Sequence, residues 1–245
     1  MLNILLIAGH GDGDPGAIGN GYHEADLTRE MVSMVQKNLS KYANVTVFDT
    51  KKNPYKYFKA NKFDFKKYGY VFEIHFNAAA NDRGGDGKTT GTEILVHPTE
   101  KGISVEKTTL KNIEALGFRN RGVKTRNNLQ NMNICKGSQN VSYALLETCF
   151  IDDKDDMDLY AKKKSAIALA VTEGIVEGFN LKLKEGEAVG FNDTKGHYAE
   201  SAINELFSMG IVKGDENGNF RPNDNIKRAD VAIMVRNAIR HITGK

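Results

Sequence analysis

Two histidines and two glutamates carry the chemistry-bearing pattern of this chain. The run Ala8-Gly9-His10-Gly11-Asp12-Gly13-Asp14-Pro15-Gly16 follows an apolar stretch, and Glu24 opens a helical pattern. Further on, Phe72-Glu73-Ile74-His75-Phe76-Asn77 closes another apolar stretch. Two imidazoles and one carboxylate, each at a strand end or helix start, can converge on one ion. Hydrolytic zinc centres use such a set of three protein ligands and keep one position open. Glycines around His10 allow the backbone to approach an ion, and a helix N-terminus favours the Glu24 carboxylate. His75 and Asn77, two apart on a strand, share a face. Glu147, inside Leu145-Leu146-Glu147-Thr148, is a carboxylate left over for proton transfer. An apolar strand around it should raise its pKa into the range that work requires.

The same residues admit other readings. Gly11 to Gly16 matches G-x-G-x-x-G behind a strand, a dinucleotide-binding pattern. Asp12 and Asp14 would repel a pyrophosphate, however, and the helix starts too late for its N-terminus to cradle one. His23 neighbours Glu24, but adjacent side chains at a helix start point apart. Simple alternation puts Glu147 and Cys149 on one strand face, which leaves Cys149 as a thiolate ligand or an inert buried thiol. Lys51–Lys67 interleaves basic and aromatic residues, as an anion-binding patch or as a half-buried helix with solvated lysines. Asp152–Asp158 reads as a solvated helix start.

The elements that would position these groups are legible from periodicity. Strands are expected at Leu2–Ala8, Val45–Asp49, Tyr70–Phe76, Gly91–His97 and Tyr143–Thr148. Helices are expected from Glu24, with Leu27, Met31, Val35 and Leu39 at i+4 spacing, around Val105–Leu116 and over Ala166–Val176. Alternating strands and helices predict an α/β three-layer sandwich with a mostly parallel twisted central sheet and ligands at strand ends. Residues 182–189 read as a linker. Beyond them, apolar stripes at 202–207 and 231–242 flank a turn-rich segment, predicting a small all-α helix–loop–helix domain. At that size only about 60% of the chain surface can be buried, so it needs company.

The whole chain has 245 residues, 40% hydrophobic and 27% charged, with a net charge of +3. That balance suits a globular protein and is too weak to imply nucleic acid. No stretch reaches the ~18 apolar residues of a membrane span. Leu2–Ile7 has no Lys or Arg before it and no small-residue cleavage site after it, so it reads as a core strand and not as a signal peptide. Two cysteines, Cys135 and Cys149, permit at most one disulfide.

His10-Gly11, Asp14-Pro15-Gly16-Ala17, Glu24, Ile74-His75-Phe76-Asn77-Ala78, Gly91-Thr92-Glu93, Asn120-Arg121-Gly122-Val123 and Leu146-Glu147 with Phe150-Ile151 together resemble the zinc-dependent N-acetylmuramoyl-L-alanine amidases. The similarity covers nearly all of residues 1–180. It implies His10, Glu24 and His75 as ligands of one Zn2+ and Glu147 as the catalytic acid/base. The implied substrate is peptidoglycan, cut between the muramic acid lactyl group and the first L-Ala of the stem. Asn77 and Asn128 are candidates for substrate contact. The chain departs from the family pattern at Glu73, where Ser is usual, and at Asn128-Leu129-Gln130-Asn131, where a basic residue is common. A non-catalytic wall-binding protein and a zinc peptidase acting within the stem are the alternative readings.

Gly190-Phe191-Asn192-Asp193, Gly210-Ile211-Val212-Lys213-Gly214, Phe220-Arg221-Pro222-Asn223 and Lys227-Arg228-Ala229-Asp230 resemble one S-layer homology repeat. The organisation expected is therefore a catalytic domain at 1–181, a linker at 182–189 and a wall-anchoring repeat at 190–245. The repeat implies a secondary cell-wall polymer as partner, with Arg228 as its candidate contact. Such repeats usually occur in threes and only one is present. Either three chains assemble through this domain as a homotrimer, the expectation its small size favours, or the repeat acts alone with weak affinity. The expected course is synthesis in the cytoplasm and action at a Gram-positive wall after lysis or holin-type release, as an endolysin or autolysin.

Overall fold

The computed structural model describes residues 1–184, 191–215 and 217–243. They fall into two compact units, Met1–Lys184 and Glu185–Lys245. The greater part of the expected linker at 182–189 lies outside the described residues.

In the first unit the chain runs β1 (Asn3–Ala8), β2 (Ile18–Gly19), β3 (Tyr22–His23), α1 (Glu24–Leu39), β4 (Asn44–Val47), α2 (Pro54–Ala60) and β5 (Tyr70–Asn77). It continues through β6 (Thr92–Val96), α3 (Ser104–Glu114), β7 (Asn120–Thr125), α4 (Gln130–Met132), a π-helical turn (Asn133–Ser138), β8 (Ser142–Phe150) and α5 (Lys154–Gly178). Six strands form one sheet in the order β4-β1-β5-β8-β6-β7. β4, β1, β5 and β8 are mutually parallel, whereas β6 runs antiparallel to β8 and pairs in parallel with β7. The central strands read as near-continuous apolar runs because helices cover both faces, leaving no solvated side to alternate towards.

On one face, α1 presents Leu27, Met31, Val35 and Leu39 to Ile4, Leu6, Phe72 and Ile74 of the sheet, with α3 and α5 packed beside it. Acidic residues in the first turn of α1 and Lys37 in its last suit the helix dipole. On the other face, α2 and its flanks bury Phe58 and Phe65 against Leu5, Ile7 and Val71. The Phe58 ring lies 4.7 Å from Phe48 and 5.0 Å from both Phe63 and Phe65. The phenylalanines of the Lys51–Lys67 segment thus pack inward while Tyr55 and all of its lysines stay exposed.

Three details correct the sequence reading. β7, formed by Asn120–Thr125 at the sheet edge, carries too little apolar alternation to be visible beforehand. α5 begins at Lys154, well ahead of the Ala-rich stretch, and the acidic cluster spanning its start is not simply solvated. Asp153 is buried and caps the helix by accepting the Asp156 N–H at 2.8 Å, and buried Asp156 accepts the N–H groups of Gly91 and Phe150. Finally, β8 bulges: His75 pairs with Glu147 but Asn77 pairs with Phe150. The extra residue breaks the alternation. Cys149 consequently lies with Leu146 and Met157 on the α1/α5 face, while Tyr143 and Leu145 belong to the opposite core. Cys135 is also in that opposite core, and both thiols are free.

The second unit contains α6 (Glu200–Ser208) and α7 (Arg228–Thr243). Its small core gathers Phe191, Ile203, Ile211 and Val212, with the Phe191 ring 4.8 Å from Phe207 and 5.0 Å from Phe220. Val231, Ile233, Val235 and Ile239 of α7 remain 41–54% exposed. No helix among the described residues is long and apolar enough to cross a membrane.

The strand order also says where a ligand should sit. From β1 the chain crosses to β4 on one side and returns to β5 on the other. In open parallel sheets the crevice beyond the carboxyl ends at such a reversal is the natural binding place. His10 follows β1, and His75 lies near the end of β5.

Candidate metal centre and hydrolytic site

The His10 strap is held by the helix it leads into. His10 has φ 63, in the left-handed region that few non-glycine residues occupy. Arg29 of α1 fixes this backbone: Nη2 donates to the His10 carbonyl at 3.0 Å, and Nη1 donates to the carbonyls of Gly9 at 3.1 Å and Ala25 at 2.8 Å. Thr28 Oγ1 donates to the Gly9 carbonyl at 2.9 Å. Glu24 follows immediately after the β2–β3 hairpin, as the first residue of α1. Its neighbour His23 is more than half exposed and faces Asp26, so it is turned away from the centre.

Glu24 joins the two imidazoles. Its Oε2 lies 3.1 Å from His10 Nε2 and accepts the Ala17 N–H at 2.9 Å. Its Oε1 lies 3.0 Å from His75 Nδ1 and accepts the Phe76 N–H at 3.0 Å. One donor atom from each of His10, Glu24 and His75 lies within 4.8 Å of the others. Burial opposes ionisation of Glu24, but its bonds to His10 and His75 outweigh that and hold the carboxyl well below the usual carboxylate range. Burial likewise opposes charge on His75, and the Glu24 and Glu73 carboxylates overcome it, raising its pKa well above the ordinary value.

Each imidazole has a second carboxylate on its far nitrogen. His10 Nδ1 meets Asp14 Oδ2 at 3.0 Å, and Asn53 Nδ2 donates to that same oxygen at 2.9 Å. His75 Nε2 meets Glu73 Oε1 at 2.9 Å. Carboxylates in this position orient metal-binding histidines and raise their basicity. The donor set of two imidazole nitrogens and one carboxylate oxygen fits a divalent ion of borderline hardness.

Space is as specific as charge here. A Cβ on Gly9 would stand 2.3 Å from His75 Cε1, and one on Gly16 (φ 67) 2.7 Å from Glu24 Oε2. Gly9→Ala is expected to push the His75 ring aside at a cost of about 1–3 kcal/mol, read as weaker divalent-ion binding in a titration. Wild-type affinity in a folded Gly9→Ala variant would contradict this packing argument.

Glu147 faces the pair across the sheet. It is in register with His75 on one side and with Glu93 of β6 on the other. Its Oε2 is buried and without a hydrogen-bond partner. Burial pushes its carboxyl up to about 7. Glu93, by contrast, accepts from Arg121 Nε at 2.6 Å and from Lys124 Nζ, so its charge is already answered. Asn77 extends Nδ2 towards Glu93 Oε1 at 3.4 Å, and its Oδ1 accepts the Ala78 N–H. Asn128 lines a cavity of about 230 Å³ together with His10, Glu73, His75, Asn131 and Tyr143. Arg228, in the second unit, is exposed at the start of α7.

Sequence reasoning missed Arg29, Asn53, Asn131 and Tyr143. Only Glu73 left a trace, as an acidic residue interrupting an apolar strand two places before His75.

These features define an α/β sandwich with a three-donor cluster that could hold an ion at the topological switch, and on the neighbouring strand β8 a carboxyl with a buried, unpartnered oxygen. A family profile described as N-acetylmuramoyl-L-alanine amidase matches residues 4–177, and one described as S-layer homology domain matches residues 190–232. The chain belongs to the N-acetylmuramoyl-L-alanine amidase family. It is 31% identical over 196 residues to "Probable autolysin PH" of Staphylococcus aureus, covering 71% of this chain but only 38% of that protein. It is 27% identical over 192 residues to the endolysin of Bacillus phage SPP1, covering 75% and 68%. The catalytic domain of CwlV, an N-acetylmuramoyl-L-alanine amidase from Bacillus (Paenibacillus) polymyxa var. colistinus, has the same fold, with a TM-score of 0.56 at 20% identity over 74% of this chain and all of that one.

Proposed function

We propose that this protein is a peptidoglycan hydrolase that cleaves the amide between N-acetylmuramic acid and L-alanine. The observation that carries this reading is the convergence at the β1–β5 switch. Two imidazoles share one buried carboxylate there, and in-register Glu147 offers a buried oxygen with no partner. In this reading His10, Glu24 and His75 hold one zinc ion. Bound there, zinc would supply Lewis acidity towards the scissile carbonyl and a water molecule. Glu147 takes the proton from the attacking water and passes it to the leaving amine of L-Ala. A carboxyl near pKa 7 accepts and returns a proton with little penalty at neutral pH. Arg29, Asp14 and Asn53 hold His10 in place throughout. Asn128, which lines the cavity beside His10 and His75, and Asn77, two residues beyond His75 on β5, are the proposed substrate contacts.

The proposed division of labour assigns catalysis to residues 1–181 and wall anchoring to 190–245, with 182–189 as the linker. Arg228 would contact an anionic wall polymer. The relatives named autolysin and endolysin support action at the cell wall. A stripe of α7 side chains about half exposed, on a unit with a small core, supports assembly of this domain as a homotrimer. Sedimentation at micromolar concentration tests that directly: a strict monomer would refute it.

The decisive experiment treats purified walls with the protein and identifies the new amino termini, alongside zinc per chain. Free L-Ala termini with one zinc are expected. Other stem amino termini would mean a peptidase, and tight wall binding without release of any would mean a non-catalytic wall-binding protein.

A further inference from the structure

We propose that Glu73, clamped by Tyr143 and Asn131, is the positioning residue that sets the orientation of His75 for ion binding. The inference rests on the proposed metal reading and adds a residue to it. Glu73 is almost wholly buried, in the middle of β5 and on the same strand face as His75. Its Oε1 receives His75 Nε2 at 2.9 Å, and Asn131 Nδ2 donates to both of its oxygens at 3.1 Å. The Tyr143 hydroxyl donates to its Oε2. Three donors from β5, β8 and α4 thus converge on two acceptor oxygens. Only a carboxylate satisfies that set, because an amide would turn an N–H₂ towards one of the donors.

The consequence falls on His75. With its Nε2–H given to Glu73, the ring presents Nδ1 to Glu24, where the three donor atoms converge. The ring cannot rotate without abandoning a buried carboxylate, which would then be left with unmatched acceptor capacity. Glu73 itself is fixed because Tyr143 and Asn131 reach it from separate elements. The tether therefore reads His75 orientation out of the packing of the sheet. Second-shell carboxylates of this kind are worth about 10–100-fold in metal affinity.

The test measures Zn2+ binding by competition with a chromophoric chelator, and records the visible absorption of the Co2+-loaded protein. Glu73→Gln is expected to weaken Zn2+ binding about 10–100-fold and to alter the Co2+ spectrum, in a chain with unchanged far-ultraviolet circular dichroism. Tyr143→Phe combined with Asn131→Ala leaves the carboxylate but removes its clamp; a several-fold loss is expected, and this variant decides the matter if Glu73→Gln does not fold. Wild-type Zn2+ affinity and an unchanged Co2+ spectrum in either folded variant would overturn the positioning role while leaving the metal reading intact. Failure of the wild-type protein itself to bind Zn2+ would instead remove the metal reading.

Discussion

Glu147→Gln is expected to keep its metal and its fold while losing about 10²–10⁴-fold in turnover. The prediction follows from what surrounds the side chain. Its Oε2 is enclosed with no hydrogen-bond partner, so little of the structure depends on the carboxylate, and the amide is nearly isosteric. Burial already pushes the carboxyl up to about 7, which means that the folded protein disfavours its charge. Replacing it by a neutral amide should therefore leave thermal stability at neutral pH unchanged or slightly higher. Three measurements on one preparation separate the possibilities: zinc per chain, melting temperature and release of L-Ala amino termini. A variant that retains its metal and hydrolyses walls within about tenfold of wild type would remove Glu147 from the mechanism. Loss of metal together with activity would instead assign Glu147 to the ion site.

Withdrawal of divalent metal should abolish hydrolysis and be reversed by adding back Zn2+. His10, Glu24 and His75 bring their donor atoms together from three separated stretches of chain. Such a cluster has no catalytic carbonyl activation of its own to fall back on. Its stability should respond as well, since a ligand that binds only the folded state at 1,000 times its Kd adds about 4 kcal/mol. A chelated and dialysed sample is therefore expected to melt earlier than the Zn2+-loaded one. His10→Ala should show neither activity nor the Zn2+-dependent shift. Full activity in metal-free protein would end the zinc proposal, whatever the resemblance of the fold.

The Gly9→Ala titration and the Glu73 variants probe the same centre from its packing. They separate affinity from chemistry, because neither position offers a group to the reacting bond in the proposed mechanism.

Much of this architecture is legible before folding. The apolar runs of β1, β5 and β8 must be buried on both faces, and the four-residue spacing in α1 gives that helix one inward side. Placing His10, Glu24, His75 and Glu147 at strand ends or a helix start follows from those boundaries. What alternation could not supply was the bulge in β8, which turns Cys149 away from the Glu147 side. Nor could the spacing of charges separate the buried cap at Asp153 from a solvated acidic run, since the difference lies in which N–H groups arrive there.

The amino-acid order alone determined the element types, the α/β class and the residues able to bind an ion, because these depend on local periodicity and side-chain chemistry. Only the tertiary structure decided that His10 and His75 share one carboxylate. It also decided that Glu73 is tethered by Tyr143 from 70 positions away and that Glu147 Oε2 is buried without a hydrogen-bond partner. Those outcomes depend on strand order and register, which bring together groups that no local interaction connects.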